Sequence, residues 1–86
     1  MTKYKKALGA TLSKQNDEFV IIKRKDVFKV NEVGARIFEL CNGNYNEQNI
    51  IEKLSKFYNT SEKEIEEDIK GFINEMLKNT VIKILG

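Results

Sequence analysis

There is no histidine in this chain and only one cysteine, Cys41. The first absence removes the usual general base near neutral pH and the commonest metal ligand. The second excludes an internal disulfide. Zinc sites, catalytic triads and Cys–His dyads fall with them, so neither catalysis nor a resident cofactor or metal is expected. The five glycines, Gly9, Gly34, Gly43, Gly71 and Gly86, lie far apart, so they form no Gly-rich phosphate loop. Proline is missing altogether, and there is no low-complexity tract or internal repeat. No apolar run approaches the roughly 20 residues of a membrane-spanning helix. The charged start, Met1-Thr2-Lys3-Tyr4-Lys5-Lys6, leads into no long apolar stretch and does not read as a signal peptide. For 86 residues the expectation is a single domain over 1–86, located in the cytoplasm. Such a domain has little room for both a core and a deep active site.

What is present begins with an uneven charge distribution. Residues 1–30 hold eight Lys/Arg against three Asp/Glu, and residues 31–86 hold seven against ten. Ordinary solvated surface would account for this. The functional reading is a basic N-terminal part that attracts an acidic partner.

Strand signals fill the first thirty residues. Ala7 to Ser13 alternates partially, and Gln15-Asn16-Asp17-Glu18 is a polar turn. Phe19-Val20-Ile21-Ile22 reads as a strand covered on two faces. After the polar turn Lys23-Arg24-Lys25-Asp26 comes a short third strand, Val27-Phe28-Lys29-Val30. Short polar connections between three such runs predict an antiparallel meander.

Helix signals fill the rest. Asn31 is a good N-cap with Glu32 in the first turn, and Val33, Ile37, Leu40 and Cys41 repeat at helical spacing. Asn42-Gly43-Asn44 reads as a helix stop. Asn46 caps a second helix with the apolar face Ile50, Ile51, Leu54, Phe57 and Tyr58, broken at Asn59-Thr60. Ser61-x-x-Glu64 is a capping box that opens a third helix to about Lys78. That helix aligns Ile65, Ile69, Phe72, Ile73, Met76 and Leu77 in a stripe of about 140°, wider than one core contact needs. Thr80 to Leu85 reads as a closing strand. The fold class predicted is α+β, winged helix-turn-helix-like, with a three-stranded antiparallel N-terminal sheet followed by three helices.

That arrangement raises DNA binding, and the third helix speaks against it. Glu62, Glu64, Glu66, Glu67, Asp68 and Glu75 outnumber Lys63, Lys70 and Lys78. The acids crowd the end a recognition helix points at base edges, where phosphate contact demands cations. Most of them are accounted for by complementing the helix dipole, and in either role they repel a duplex. The third strand is more informative. Last in the meander, it would lie at a sheet edge and offer unpaired backbone groups to an added strand, unless a helix or the C-terminal strand covers it. Cys41 and Met76 read as core residues. Tyr4, Tyr45 and Tyr58 show no stacking pattern for nucleic acid.

Phe19 to Ile22, a charged turn, then Val27-Phe28-Lys29-Val30-Asn31-Glu32 resembles the opening of PqqD-like proteins. The likeness continues through Ala35-Arg36-Ile37-Phe38-Glu39-Leu40-Cys41-Asn42-Gly43 and Ile50-Ile51-x-x-Leu54-x-x-x-Tyr58. It ends with Glu67-Asp68-Ile69-x-x-Phe72-Ile73-x-x-Met76-Leu77 and covers roughly residues 19 to 82. Members of that family are RiPP recognition elements: three N-terminal strands, then three helices. They bind the leader segment of a ribosomally made precursor peptide as an added strand beside the third strand, packed against the third helix. They work for a modifying enzyme, often a radical SAM enzyme or a leader peptidase, and this chain resembles the free-standing form. Carried over by position, the resemblance implies a peptide site of Val27, Phe28, Lys29, Val30, Asp68, Ile69, Phe72, Ile73 and Met76, and the basic Arg24 and Lys25 beside that edge are expected to steer an acidic leader. Partners would be a leader peptide and an enzyme, with no nucleic acid and no membrane. Two departures from the family stand out: a weakly marked first strand, and a Val81–Leu85 tail that would compete for a sheet edge. A DNA-binding winged-helix regulator and a bare structural subunit are the alternative readings.

Overall fold

The chain, described over residues 1–85 by a computed structural model, opens on a strand with little sequence signal, β1 (Lys3–Lys6). It continues as β2 (Ala10–Gln15), β3 (Glu18–Lys23), β4 (Asp26–Val30), α1 (Glu32–Leu40), β5 (Asn42–Asn46), α2 (Glu47–Phe57), α3 (Glu62–Lys78) and β6 (Ile82–Leu85). The expected meander is β2-β3-β4, and the three helices follow it. Its first strand is displaced from the expected Ala7–Ser13, because Ala7 to Gly9 turn the chain and the N–H of Ala10 donates to the Ala7 carbonyl at 3.0 Å.

Both hairpins have two-residue loops. Asn16 and Asp17 sit at φ 51° and 64°, the pair of left-handed residues that a type I′ turn requires. In the second loop Arg24 takes φ 57°, an uncommon setting for a long side chain. β3 is the meander's central strand. Ile21 is fully buried against the helices. Val20, on the opposite face, is also buried, while Val27 on the neighbouring strand is 58% exposed. The second covered face is therefore incomplete.

The helix caps follow the sequence. Asn31 Oδ1 accepts from the Gly34 N–H at 2.8 Å, and Asn46 Oδ1 accepts from the Asn49 N–H at 2.8 Å. Asn49 Oδ1 returns the favour to the Asn46 N–H at 3.0 Å, closing a box. At Ser61 the expected box forms by half. Ser61 Oγ accepts from the Glu64 N–H at 3.2 Å, but the Glu64 carboxylate takes the Thr60 and Ser61 hydroxyls instead of the backbone.

The segment read as a helix stop needs correcting. α1 does end at Leu40, yet residues 42–46 continue as a strand. Gly43, at φ 91°, sits where β5 shifts register against β1; glycine adopts that backbone without strain. β1 lies between β5 and β6, making a second antiparallel sheet. The C-terminal strand pairs Tyr4 with Ile84 and Lys6 with Ile82, so it occupies an edge of β1 and leaves β4 alone.

One core cluster unites these parts: Ile21, Ile37, Phe38, Cys41, Ile50, Ile51, Leu54, Ile69, Ile73, Met76 and Val81 are buried together. Burial pushes the Cys41 thiol up to about 12, which suits the core role read from sequence and leaves little thiolate. No helix among the described residues is long and apolar enough to cross a membrane.

Candidate functional site

β4 pairs only with β3 among the described residues, so its other edge is open. Geometry decides which groups face out. The two-residue loop makes Lys23–Asp26 a hydrogen-bonded pair, and antiparallel pairing then alternates. Phe28 and Val30 therefore spend their N–H and C=O on Ile21 and Phe19, their partners in register. Val27 and Lys29 turn theirs to the free side. Side chains alternate the other way: Phe28 and Val30 are half-buried towards the helices, while Val27 and Lys29 point outward.

The helical wall divides the wide stripe of α3 in two. Ile69, Ile73 and Met76 are buried in the core with Ile65. Phe72 and Leu77 are only half-buried against it, and Asp68 is exposed. Phe72, Leu77 and Asp68 thus have surface to offer, while Ile69, Ile73 and Met76 support that surface from behind.

What joins strand to helix is a residue the sequence reading passed over. A Cβ placed on Gly34 would lie 3.1 Å from Phe72 Cε1 and 3.2 Å from Val30 Cβ. The Phe72 ring and the Val30 side chain therefore both lie close against the bare backbone of α1 at Gly34. The sequence signal was a glycine inside a helical run, which costs about 1 kcal/mol relative to alanine and invites a packing reason. Gly34→Ala should recover that propensity and crowd the ring. Because Phe72 is half-exposed, the ring can swing outward, so the melting temperature should change by only a few degrees. Affinity for a peptide in the groove should fall about fivefold or more in a fluorescence-anisotropy titration. Unchanged affinity would mean that Phe72 does not line the binding surface.

The cations near this edge are not equivalent. Lys23 Nζ donates to the Thr80 carbonyl at 2.8 Å and to its hydroxyl at 3.0 Å, tying the hairpin to the end of α3. Lys29 pairs with Glu18 at 3.3 Å. Arg24 and Lys25, exposed at the loop, have no ion-pair partner among the described residues. No cluster of three potential metal ligands occurs among the described residues.

A second polar cluster ties α1 to α2. The Tyr58 hydroxyl donates to Glu32 Oε2 at 2.8 Å, and Arg36 Nε reaches the same oxygen at 3.4 Å. The tyrosine and arginine contacts lower the Glu32 carboxyl below its ordinary range. Burial, then the bond to Glu32, raises the Tyr58 hydroxyl. Arg36 also stacks over the Phe57 ring at 3.9 Å.

Comparison with known proteins fits this geometry. The sequence model of the family described as coenzyme PQQ synthesis protein D (PqqD) matches residues 18–82. A protein of Methylococcus capsulatus (strain Bath) named PqqA binding protein is 34% identical over 65 residues, spanning 76% of this chain and 68% of that one. Among solved structures, TbiB1 in complex with the TbiA(beta) leader peptide superposes with a TM-score of 0.75 at 18% identity, over 92% of this chain and 94% of that one. A lasso peptide synthetase B1 complexed with the leader peptide gives 0.77 at 12% identity, over 94% and 98%. At such identities the structural likeness establishes the fold, the α+β winged-helix-like architecture expected from sequence.

Proposed function

Because the chain belongs to the PqqD family, we propose that it binds the leader segment of a ribosomally synthesised precursor peptide and presents that peptide to a modifying enzyme. The leader adds as a strand to β4, using the outward groups of Val27 and Lys29. Its side chains pack on Phe28, Val30, Phe72 and Asp68, over a support of Ile69, Ile73 and Met76. The observation that carries this reading is the open β4 edge beside Val30 and the Phe72 ring, both packed close to Gly34. Backbone pairing supplies affinity in such a mode, and side-chain pockets supply selectivity. The name of the M. capsulatus relative and the leader peptides in both solved complexes support it.

The role is non-catalytic and needs no cofactor. Holding the leader raises the effective concentration of the attached core segment at the enzyme, which would be of the radical SAM or leader-peptidase kind. The site of action is the cytoplasm. DNA reading finds no support, since Glu62, Glu64, Glu67 and Asp68 are all exposed on α3 and would face the phosphates.

Titration of isotopically labelled protein with the cognate leader tests the proposal. Chemical-shift changes should concentrate in residues 24–31 and 65–77, with α2 silent. Affinity should weaken as salt screens Arg24 and Lys25, though modestly, because Lys23 and Lys29 are already engaged. Shifts centred on Glu47–Tyr58 or on β6 would show the groove to be misplaced.

A further inference from the structure

The meander has a second open edge. β2 pairs only with β3 among the described residues, and it lies on the far side of the sheet from β4. The two-residue loop at Asn16-Asp17 makes Gln15–Glu18 a hydrogen-bonded pair, so Leu12 and Lys14 turn their N–H and C=O outward. Beneath this edge, between β2, α1 and α2, runs a cleft of about 900 Å³. That volume is at the upper end of what binding clefts usually enclose. Leu12, Phe19, Leu40, Tyr45, Leu54 and Phe57 supply its apolar lining. Phe57 is 56% exposed, an unusual setting for a large aromatic side chain. The α1 residues facing the cleft, such as Arg36 and Glu39, lie on the opposite side of that helix from Gly34, a separation that follows from 100° per residue. The cleft is therefore distinct from the leader groove.

Charge at the cleft is one-sided once internal pairs are removed. Glu39 is held by Lys6 at 3.1 Å and Glu32 by Arg36 at 3.4 Å. Of the lining residues, Lys53 and Lys56 have no ion-pair partner among the described residues, against Glu52 as the one acid in that position, and the equally unpaired Lys14 borders the cleft. Lys14 lies over the Phe19 ring at 5.5 Å and Lys53 over the Tyr45 ring at 5.0 Å, so two of these cations sit above the apolar lining itself.

We infer that β2 and this cleft form a second strand-addition site, occupied by an extended acidic segment of the modifying enzyme, with apolar side chains alternating into the cleft. This rests on the leader-binding reading. With the leader on β4, the opposite edge is left for the protein that must act on it. A single extended chain could take both edges only by crossing the sheet. A second copy of this chain fits poorly, because β2 against β2 would set Lys14 and its surroundings against themselves. The arrangement places leader and enzyme on opposite edges of one sheet, so both bind together without competing.

The probe is a synthetic peptide, acetyl-Glu-Leu-Glu-Phe-Glu-Leu-Glu-amide, titrated into the labelled full chain. Saturable shifts should appear in Ala10–Gln15, Arg36–Leu40 and Lys53–Phe57 below about 1 mM peptide, with Asp26–Val30 silent. Lys53→Glu combined with Lys56→Glu should weaken this binding about tenfold or more, leaving leader affinity unchanged. Lys14→Pro should remove an outward donor and also weaken it. No saturable shift, shifts on β4, equal binding of the Lys-for-Glu version of the peptide, or β2 occupied by self-association would each overturn the inference. The leader titration in the same sample reads β4 independently. Loss of the leader response alone would count against the leader-binding reading, and loss of the acidic-peptide response alone against the second site.

Discussion

Ile69→Ala should lower folding stability by about 2–5 kcal/mol, seen as a large fall in the urea midpoint with little change in slope. Ile69 is fully buried in the cluster that joins the meander to all three helices. A chain of 86 residues has about 4–13 kcal/mol of stability in total, so one such cavity removes a large part of it. The effect on leader binding should be indirect. Under conditions where the variant remains folded, its leader affinity should lie within about threefold of the parent, because the Ile69 side chain has no surface to offer. A selective loss of binding with normal stability would contradict its assignment to the core. Ile73→Ala should behave alike.

Phe72→Ala should do the reverse. The ring is half-buried beside Gly34, so its loss opens little cavity but removes a large apolar contact available to a bound strand. Leader affinity should drop about 30-fold or more, the scale of an interface hot spot, while the fold persists. A paired backbone test separates strand addition from side-chain packing. Lys29→Pro removes an N–H that faces the open edge and leaves the β3 ladder intact, so leader binding should fall with the circular dichroism spectrum unchanged. Phe28→Pro removes an N–H bonded to β3 and should unfold the sheet. If Lys29→Pro binds leader as well as the parent, the leader does not pair with β4.

Much of this was legible in the sequence, because local rules and tertiary structure agreed. Asn31, Asn46 and Ser61 cap the helices they precede, and Asn16-Asp17 supplies the backbone of the hairpin it was read to form. The edge position of β4 followed from its place last in the meander. Three parts were not legible, for different reasons. β1 and β5 are short and polar, and they exist only as partners for each other and for β6; neither Lys3–Lys6 nor Asn42–Asn46 has alternation strong enough to announce a strand. The division of α3 was hidden because periodicity marks which residues share a face, not how deep each lies. Ile69, Ile73 and Met76 therefore read the same as Phe72. The β2 cleft was missed because its walls come from β2, β3, α1, β5 and α2, and no local pattern registers such a meeting.

The second sheet also sets a timetable. β1 is its middle strand, and its partner β6 pairs Lys3 with Leu85 across nearly the whole described chain. The meander can close its two hairpins from neighbours only a few residues away. The middle strand can pair with β5 earlier, but its pairing with β6 joins the most distant strands, and such contacts are the slowest to form. During synthesis β1 therefore gains its second partner only once β6 has been made. Until then, among the described residues, Tyr4 and its flanking lysines have β5 as their one strand partner.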